Sequence, residues 1–435
     1  MAAAPSTEDL RSVRLVFEPK DNAAFEPLNN LELFVPDTFG RKSIRKTISQ
    51  LSKDGPVDLL DFAVEGILLR TTLGKFCEKY GKSREAVLEI LCFQRESAPT
   101  EVSSNSQSHW LSCLYCFHLS ESTKVVAGAA EGFLHGWSWS HSQFSAEWEM
   151  PAFKDAKQST VIGVDWLPAK QKLVSCLQSG FLVLSSLEGN ENISLSLNQP
   201  GSTKKNSIES VLFYGNTGDK YDSIFLGAFD GSILRVQKHD IELYSDLISP
   251  DKDLYCLKTE ETLPGHSQRV SSVISLDMNF LLSSSWDGTV KIWDLDRCCL
   301  TSSTNVGRPI NSSTKSLNQD YLVAGNMDGS FTLLDCRQEK PALRKKFAHS
   351  LATTAVTSSP LKNNFFCTAG RDNKIKVWDS RALSTPFYES GRKGKQGNTY
   401  FTCLFWDSEK NLLLAGKSDG ELSCLLFEDG KMKLS

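Results

Sequence analysis

The sequence predicts a mainly β protein in two parts, a small N-terminal domain followed by a ring of repeated sheets. Three observations lead to this prediction. A strand–turn–strand pattern recurs seven times after residue 109, short strands and helical segments alternate before it, and a polar stretch separates the two parts. The composition agrees, because 40% of the 435 residues are apolar and 23% are charged, which is typical of a folded globular chain.

The N-terminal part begins with an alternating strand, "SVRLVFEP", and a second candidate strand, "LELFVPDTF". A helix is predicted in "GRKSIRKTISQLSKDGP", where Ile44, Ile48 and Leu51 follow helical spacing. Ser43 is the expected N-cap, and Asp54-Gly55-Pro56 is the stop signal.

The segment "DLLDFAVEGILLR" predicts two short strands joined by a turn at Glu65-Gly66. A short helix is expected in "TTLGKFCEKYG", and residues 86–93 are the last strand. This order of elements is that of a ubiquitin-like (β-grasp) domain, which we place at residues 1–97. The polar run that follows predicts a linker at 98–108.

The repeat is clearest in "LLSSSWDGTVKIWDLD", which reads as strand, tight Asp-Gly turn, strand and a Trp-Asp pair. Six further copies place turns at residues 131, 179, 230, 328, 372 and 419, besides the one at 287. A four-stranded WD blade takes about 40–45 residues, and longer blades carry insertions. Residues 109–435 are therefore predicted to form a seven-bladed WD-repeat β-propeller.

Two blades carry polar residues in the order expected of a structural hydrogen-bond network within a blade. These sets are His266, Ser283, Asp287 and Trp293, and His349, Thr368, Asp372 and Trp378. A His–Ser/Thr–Asp set resembles a hydrolase triad, but its recurrence in a repeat favours a structural role. The first two blades are expected to lack the histidine and the acid, and so to depend on packing.

Several classes of protein are disfavoured. A net charge of −4 argues against a strongly basic nucleic-acid-binding domain. No apolar run reaches the roughly 18 residues of a membrane span, no secretory signal is present, and no phosphate-binding loop is found. The twelve cysteines are interpreted as small buried hydrophobes, since the Cys113–Cys116 pair has no second pair to complete a zinc site.

A ubiquitin-like head, a linker and a seven-bladed WD propeller resemble the WD-repeat subunit of the PeBoW ribosome-biogenesis complex. The most specific similarity is carried by "GPVDLLDFAVEGILLRTTLGKFCEKYGKSREAVLEI". The resemblance implies a non-catalytic factor in rRNA processing and maturation of the large (60S) ribosomal subunit. It implies the block-of-proliferation protein and Pescadillo as partners, pre-60S particles as the place of action, and a nucleolar and nucleoplasmic location.

In that family the head is recognised by the MIDAS domain of midasin, an AAA ATPase, whose motion releases the subunit from the particle. The protein would need no cofactor of its own, because the Mg²⁺ is held by midasin. The resemblance places the partner's metal ligand at Glu85, a carboxylate that would complete the coordination shell in trans. Glu78 and Glu89 are the alternatives in a different register, and Glu89 is disfavoured because it lies within the predicted strand.

Other interpretations of the sequence remain open. Arg41, Lys42, Arg45 and Lys46 form a basic cluster on the predicted helix, either a solvated face or a contact for RNA or an acidic partner. The chain could be a substrate adaptor of the ubiquitin pathway. It could also be the sister assembly factor that pairs a ubiquitin-like head with a WD propeller, binds midasin and normally has an extra blade.

Overall fold

The structure is a computed structural model of the whole chain, and it divides into two compact units. The first unit comprises Met1–Ala98 with Asp379–Pro386 and Glu428–Ser435, and the second comprises Pro99–Trp378 and Phe387–Phe427. The residues it describes are 10–17, 25–52, 57, 60–65, 67–83, 86–94, 99–103, 109–119, 122–140, 143–152, 159–167, 171–186, 192–197, 207–214, 223–237, 255–256, 262–263, 265–276, 279–318, 321–335, 343–390 and 399–427.

Within the described residues, the first unit contains a five-stranded sheet and two helices. The strands are β1 (Leu10–Phe17), β2 (Leu31–Pro36), β3 (Leu60–Val64), β4 (Ile67–Leu68) and β5 (Leu88–Gln94), and they lie in the order β2-β1-β5-β3-β4. The central pair, β1 and β5, is parallel, and the other pairs are antiparallel. The helices are α1 (Arg41–Leu51) and α2 (Leu73–Tyr80), and a 3₁₀ turn covers Glu26–Leu28.

Alternating apolar residues on the strands and two isoleucines of α1 build the core of this unit. Val13, Leu15 and Ile90 are buried in one cluster with Ile44 and Ile48. The pattern explains why the sheet and α1 form together, since neither can bury its apolar face alone.

Two local predictions for this unit differ from the structure. The helix α1 begins at Arg41 with Gly40 at the N-cap, so Ser43 lies inside the helix. The sequence misleads here because serine is a common N-cap residue, whereas the helix is capped three residues earlier, at Gly40. The last strand, predicted at 86–93, begins at Leu88.

Seven further sheets follow in the part of the chain that the structure describes. Blades one to seven contain, in spatial order from the inner strand, β7–β10, β11–β14 with β18, β15–β17 with β19, β20–β23, β24–β27, β28–β31, and β32–β34 with β6. The bounds are β6 Thr100–Ser103, β7 Leu111–Leu119, β8 Ser122–Ala129, β9 Phe133–Ser140, β10 Gln143–Pro151, β11 Val161–Leu167, β12 Lys172–Leu177, β13 Phe181–Ser186, β14 Asn192–Ser196, β15 Ile208–Tyr214, β16 Ser223–Ala228, β17 Ile233–Gln237, β18 Tyr255–Cys256, β19 Thr262–Leu263, β20 Val270–Ser275, β21 Phe280–Ser285, β22 Thr289–Asp294, β23 Cys299–Asn305, β24 Ile310–Lys315, β25 Tyr321–Asn326, β26 Ser330–Asp335, β27 Leu343–Phe347, β28 Thr353–Ser358, β29 Phe365–Gly370, β30 Ile375–Asp379, β31 Tyr388–Ser390, β32 Phe401–Trp406, β33 Leu412–Lys417 and β34 Leu422–Leu426.

The inner strands of these sheets contact one another in cyclic order, from β7 through β11, β15, β20, β24, β28 and β32 back to β7. Seven sheets arranged in this way are the blades of a propeller. All seven predicted turns have a residue in the left-handed region: Gly132, Gly180, Gly231, Gly288, Gly329, Asn373 and Gly420. Glycine and asparagine adopt this backbone conformation with little strain, which is why the turns are visible in the sequence.

The predicted linker at 98–108 is wrong in one respect, because Thr100–Ser103 forms the strand β6. This strand pairs antiparallel with β34 and completes the last blade. The segment is polar and short, so its composition resembles that of a linker. Its backbone nevertheless pairs with β34 in the sheet. The ring is therefore closed by residues that precede the first blade.

Side-chain hydrogen bonds connect neighbouring inner strands around the ring. A serine, threonine or asparagine near the start of one inner strand donates to a backbone carbonyl at the start of the next. The pairs are Ser112 with Val161, Ser210 with Val270, Ser271 with Ile310, Asn311 with Thr353, Thr354 with Phe401, and Thr402 with Leu111. Ile162 occupies the corresponding place in blade two and has no hydroxyl to donate.

Most of the cysteines that the structure describes are buried, as predicted for small hydrophobes. Burial raises the pKa of Cys113, which lies beside Cys403, to about 12. Cys298 and Cys299 are exposed and so depart from that prediction. Among the described residues, neither helix has the length and the hydropathy that a membrane span requires.

Candidate functional site

Glu85, the predicted metal ligand, and its neighbour Arg84 lie outside the described residues. The chain on either side of them is described. On the N-terminal side, α2 ends at Tyr80 and is capped by Gly81, whose left-handed backbone (φ 63°) turns the chain away from the helix. The amide of Lys82 donates to the carbonyl of Cys77 at 2.9 Å, which satisfies a carbonyl at the end of the helix. On the C-terminal side, Leu88 starts β5 and pairs with Val13 of β1.

A buried arginine holds the segment that precedes Glu85. The side chain of Arg11 is 3% exposed, and its Nε donates to Asp37 Oδ1 at 2.8 Å. Its terminal nitrogen donates to the backbone carbonyl of Ser83, also at 2.8 Å. The guanidinium thereby connects β1, the end of β2 and the chain that leads to Glu85, and one ion pair compensates its burial.

Arg11 was missed in the sequence, although a signal for it exists. In β1 it has the same phase as Val13, Leu15 and Phe17, so it occupies an inward-facing position. A charged residue in the buried phase of an alternating strand must be paired, and the sequence alone does not reveal its partners.

The two alternative acids have different surroundings. Glu89 lies on β5, and its Oε1 is 3.2 Å from a guanidinium nitrogen of Arg14. Arg14 also pairs with Glu32 at 2.5 Å, so Glu89 shares an exposed three-residue ion cluster. Glu78 is exposed on α2. A carboxylate that binds a metal in another protein must be available, and the contact with Arg14 makes Glu89 less available than Glu78.

The predicted basic cluster on α1 is partly used within the first unit. Arg45 Nε donates to the carbonyl of Leu60 at 2.7 Å, and a guanidinium nitrogen of Arg41 lies 3.6 Å from Asp61 Oδ1. Lys42 and Lys46 are exposed. Only these two lysines therefore retain the solvated character that an RNA contact would need.

The polar residues predicted for blade four lie in one chain of hydrogen bonds. The indole nitrogen of Trp293 donates to Ser283 Oγ at 2.8 Å, and Ser283 Oγ lies 2.8 Å from His266 Nε2. His266 Nδ1 lies 2.9 Å from Asp287 Oδ2. Since an indole only donates, the serine hydroxyl is free to donate to Nε2, and the histidine then donates from Nδ1 to the aspartate.

Blade six repeats this arrangement with threonine in place of serine. Trp378 donates to Thr368 Oγ1 at 3.0 Å, His349 Nε2 lies 2.9 Å from the same oxygen, and His349 Nδ1 lies 2.9 Å from Asp372 Oδ1. The central residues of both hydrogen-bond networks are buried, and each network joins the strands of one blade. This geometry suits a structural network better than a nucleophile, because a tryptophan already contacts each hydroxyl oxygen.

The acids of these networks are held ionised. Burial alone would raise the pKa of Asp287, but hydrogen bonds from Thr289, Ser267 and His266 outweigh it and lower the pKa to about 2. The pKa of His266 is lowered, chiefly because burial penalises the charged imidazolium. Blade four therefore contains a neutral histidine beside an aspartate carboxylate.

Blade one differs from the expectation that it has neither histidine nor acid. His109 precedes β7, and its Nδ1 lies 3.1 Å from Glu131 Oε2 in the turn of this blade. The ring of His109 stacks on Phe133 with centroids 4.4 Å apart. His109 precedes its turn at nearly the same sequence distance as His266 and His349 precede theirs. That spacing was the signal, and a glutamate in place of aspartate concealed it.

Comparison with known proteins identifies the repeat. The family model described as "WD domain, G-beta repeat" matches residues 256–294 and 342–379, which include the networks of blades four and six. The mainly β fold with WD repeats is thereby confirmed.

The chain is also similar over most of its length to a set of ribosome biogenesis proteins. It is 23% identical to "Ribosome biogenesis protein WDR12 homolog" of Trichoplax adhaerens over 92% of this chain and 93% of that protein. It is 23% identical to "Ribosome biogenesis protein ytm1" of Schizosaccharomyces pombe, over 90% and 91% of the two chains. A third relative, "Ribosome biogenesis protein YTM1" of Meyerozyma guilliermondii, is 24% identical over 83% and 86%. The resemblance to a ribosome-biogenesis family seen in the sequence is confirmed.

Proposed function

We propose that this protein is a non-catalytic assembly factor for the large ribosomal subunit and acts within the PeBoW complex. One observation carries the proposal: the similarity to proteins named for ribosome biogenesis covers both parts of the chain. WD repeats alone are shared by many functions, so the propeller by itself would not support this conclusion. The role includes rRNA processing and a location in the nucleolus and nucleoplasm.

The N-terminal part is proposed to be a ubiquitin-like domain. The support is the strand order β2-β1-β5-β3-β4 with a parallel β1–β5 pair and α1 packed on the sheet through Ile44 and Ile48. This order and the crossover between the first and last strands are those expected of a β-grasp fold.

Glu85 is proposed to be the ligand that this domain offers to the MIDAS domain of midasin. Mg²⁺ prefers oxygen ligands in an octahedron at about 2.0–2.1 Å, so one carboxylate from a partner forms a directional, metal-dependent bond. The bond would transmit force from the ATPase to this chain, which itself hydrolyses nothing. Arg11 is the proposed positioning residue, because its contact with the carbonyl of Ser83 restrains the chain two residues before Glu85.

The propeller is proposed to dock the protein on the block-of-proliferation protein and Pescadillo within pre-60S particles. The cyclic order of seven inner strands favours this family over the sister factor, which normally has an extra blade. The blade networks are proposed to be structural, and they keep the blades rigid enough to present a fixed surface.

Sedimentation of cell extracts tests the functional proposal. The tagged chain is expected in the fractions that contain precursors of the large subunit, together with the block-of-proliferation protein and Pescadillo. Depletion of the chain should lower mature large subunits relative to small ones and cause precursor rRNA to accumulate. Co-sedimentation with ubiquitin ligases and normal large-subunit levels after depletion would contradict the proposal and support a substrate adaptor.

A further inference from the structure

A cysteine, a histidine and an aspartate meet where the first blade packs against the last. Cys116 and His118 lie two residues apart on β7, so their side chains leave the same face of the strand. Asp407 follows directly after β32, the inner strand of blade seven, which contacts β7. One ligand atom from each of the three residues lies within 4.8 Å of the other two.

These groups are shielded from water and oriented by further contacts. The side chain of Asp407 is 4% exposed and that of His118 is 24% exposed. Asp407 Oδ2 accepts a hydrogen bond from the amide of Lys410 at 2.9 Å, which fixes the carboxylate. His118 Nδ1 lies 3.1 Å from Thr123 Oγ1 and 3.4 Å from Glu409 Oε2, whereas Nε2 lies 2.9 Å from Asp407 Oδ1.

The arrangement contains both the direct ligands of a metal centre and the polar groups that orient such ligands. A histidine that binds a metal through one ring nitrogen usually directs the other to a carboxylate or another polar oxygen, which fixes the tautomer. Here Nδ1 has Thr123 and Glu409 beside it, and Nε2 faces Asp407 with Cys116 nearby. The thiol, the imidazole and the carboxylate thus converge on one point from two different blades.

We propose that Cys116, His118 and Asp407 bind a zinc ion that joins the first and last blades. Thiolate, imidazole and carboxylate together are a ligand set that suits zinc and disfavours Mg²⁺ or Ca²⁺. Ligands of tetrahedral zinc lie about 3.3–3.7 Å from one another, so the His118–Asp407 contact must open by roughly 0.4 Å and the sulfur must move closer. A water or a fourth side chain completes the coordination.

The position gives the ion a structural role at the closure of the ring. His118 and Asp407 are 289 residues apart in the sequence, and this seam joins the two ends of the propeller. A bond between distant residues restricts the unfolded chain more than a bond between near ones, so the ion would stabilise ring closure.

Metal binding by the full chain tests the proposal. The purified protein is stripped with a chelator and titrated with Zn²⁺ against a chromophoric competitor, and the bound metal is measured by mass spectrometry. We expect one equivalent of zinc, and a thiolate-to-cobalt absorption band when Co²⁺ replaces it. Cys116→Ser should abolish the cobalt band and lower zinc affinity by at least about 100-fold, and Thr123→Val should lower the affinity by about 10–100-fold.

Two controls keep the result interpretable. The double variant Cys298→Ser/Cys299→Ser removes the exposed adjacent thiols, which could bind zinc themselves, and should bind the ion as the wild type does. Circular dichroism verifies that each variant is folded. The cobalt band is measured on the wild type itself, so that test does not depend on the folding of any variant. Absence of stoichiometric zinc and of the band in folded wild type, or equal affinity in Cys116→Ser, would overturn the proposal and leave a His118–Asp407 hydrogen bond at the seam.

Discussion

The hydroxyl of Ser283 lies between two buried partners, the indole of Trp293 and the imidazole of His266. It accepts a hydrogen bond from the indole and can donate one to the imidazole, so both of these side chains depend on it. The same logic applies to Thr368 in blade six. A single hydroxyl of this kind therefore contributes more to stability than its size suggests, because its removal leaves two buried groups without partners.

Ser283→Ala is expected to lower the free energy of unfolding by about 1–3 kcal/mol, the cost of leaving buried polar groups unsatisfied. The measurement is urea denaturation followed by fluorescence. Ser303→Ala is the matched control, since Ser303 is exposed on β23 of the same blade, and it should change stability by less than about 0.5 kcal/mol. Equal stability of the two variants would show that the network does not support the blade.

The pH dependence of stability should reveal the neutral His266. Its pKa is lowered in the folded protein by burial, so the unfolded chain takes up the proton first as the pH falls below about 6.5. The contribution of the neutral histidine is thus complete above that pH and is lost as the pH falls toward the folded-state pKa. One proton changes stability by at most about 1.4 kcal/mol per pH unit.

Denaturation of the wild type and of His266→Gln between pH 7.5 and 5.5 isolates this effect. The stability of the wild type should fall more steeply than that of the variant, because only the wild type contains His266. The other histidines contribute equally to both slopes. Parallel slopes would indicate that His266 takes up its proton equally in the folded and unfolded states.

Arg11 provides a test of positioning at the scale of one residue. Arg11→Lys keeps a positive charge beside Asp37, but one ammonium group cannot reproduce both contacts of the guanidinium. The affinity for the midasin MIDAS domain is expected to fall about 10-fold, the effect typical of a residue that orients a ligand. Arg14→Lys, on the exposed face of the same strand, is the control. If both variants are folded and bind equally well, Arg11 has only a structural role.

At the scale of the element, each blade is a short unit whose inner strand contacts its neighbours through packing and through the hydroxyl contacts described above. The contact at the closing seam is Thr402 with Leu111, at 2.6 Å, and the same hydroxyl lies 2.9 Å from the carbonyl of Gly416. The seam between blades two and three has Ile162 in that place and depends on the apolar cluster around it.

Thr402→Val keeps the shape of the side chain and removes the hydroxyl. The free energy of unfolding should fall by about 1 kcal/mol, the usual net value of one such hydrogen bond. Thr301→Val, at an exposed position on β23, controls for the change of residue type. An unchanged denaturation midpoint for Thr402→Val would mean that the hydroxyls do not contribute to ring closure.

The elements that the sequence predicts well are those determined by local chemistry. The seven turns are visible because a left-handed residue at a tight hairpin strongly favours glycine or asparagine, and α1 is visible from Ile44 and Ile48. The elements that it misses depend on partners far along the chain. Arg11 donates to the carbonyl of Ser83, β6 pairs with β34, and the Cys116 thiol lies near the Asp407 carboxylate. None of these long-range pairings leaves a local pattern in the sequence.

At the scale of the whole molecule, the two units divide the proposed work. The second unit is a closed ring of blades, which suits docking, whereas the first unit carries the segment that contains Glu85. In the proposed mechanism, a force-producing partner acts on the first unit while the second stays bound to the particle. In this proposed mechanism, the metal-dependent contact at Glu85 is the step that removes the protein from pre-60S particles.

The most direct measurement is the affinity of the full-length chain for the midasin MIDAS domain, with Mg²⁺ and with EDTA. The wild type should bind only with the metal, and Glu85→Ala should lose binding because the ion then lacks the partner's carboxylate. Glu78→Ala and Glu89→Ala are the matched controls, and both should bind as the wild type does. Binding that survives EDTA, or that is unchanged in Glu85→Ala, would contradict the assignment of Glu85 as the ligand for midasin's metal.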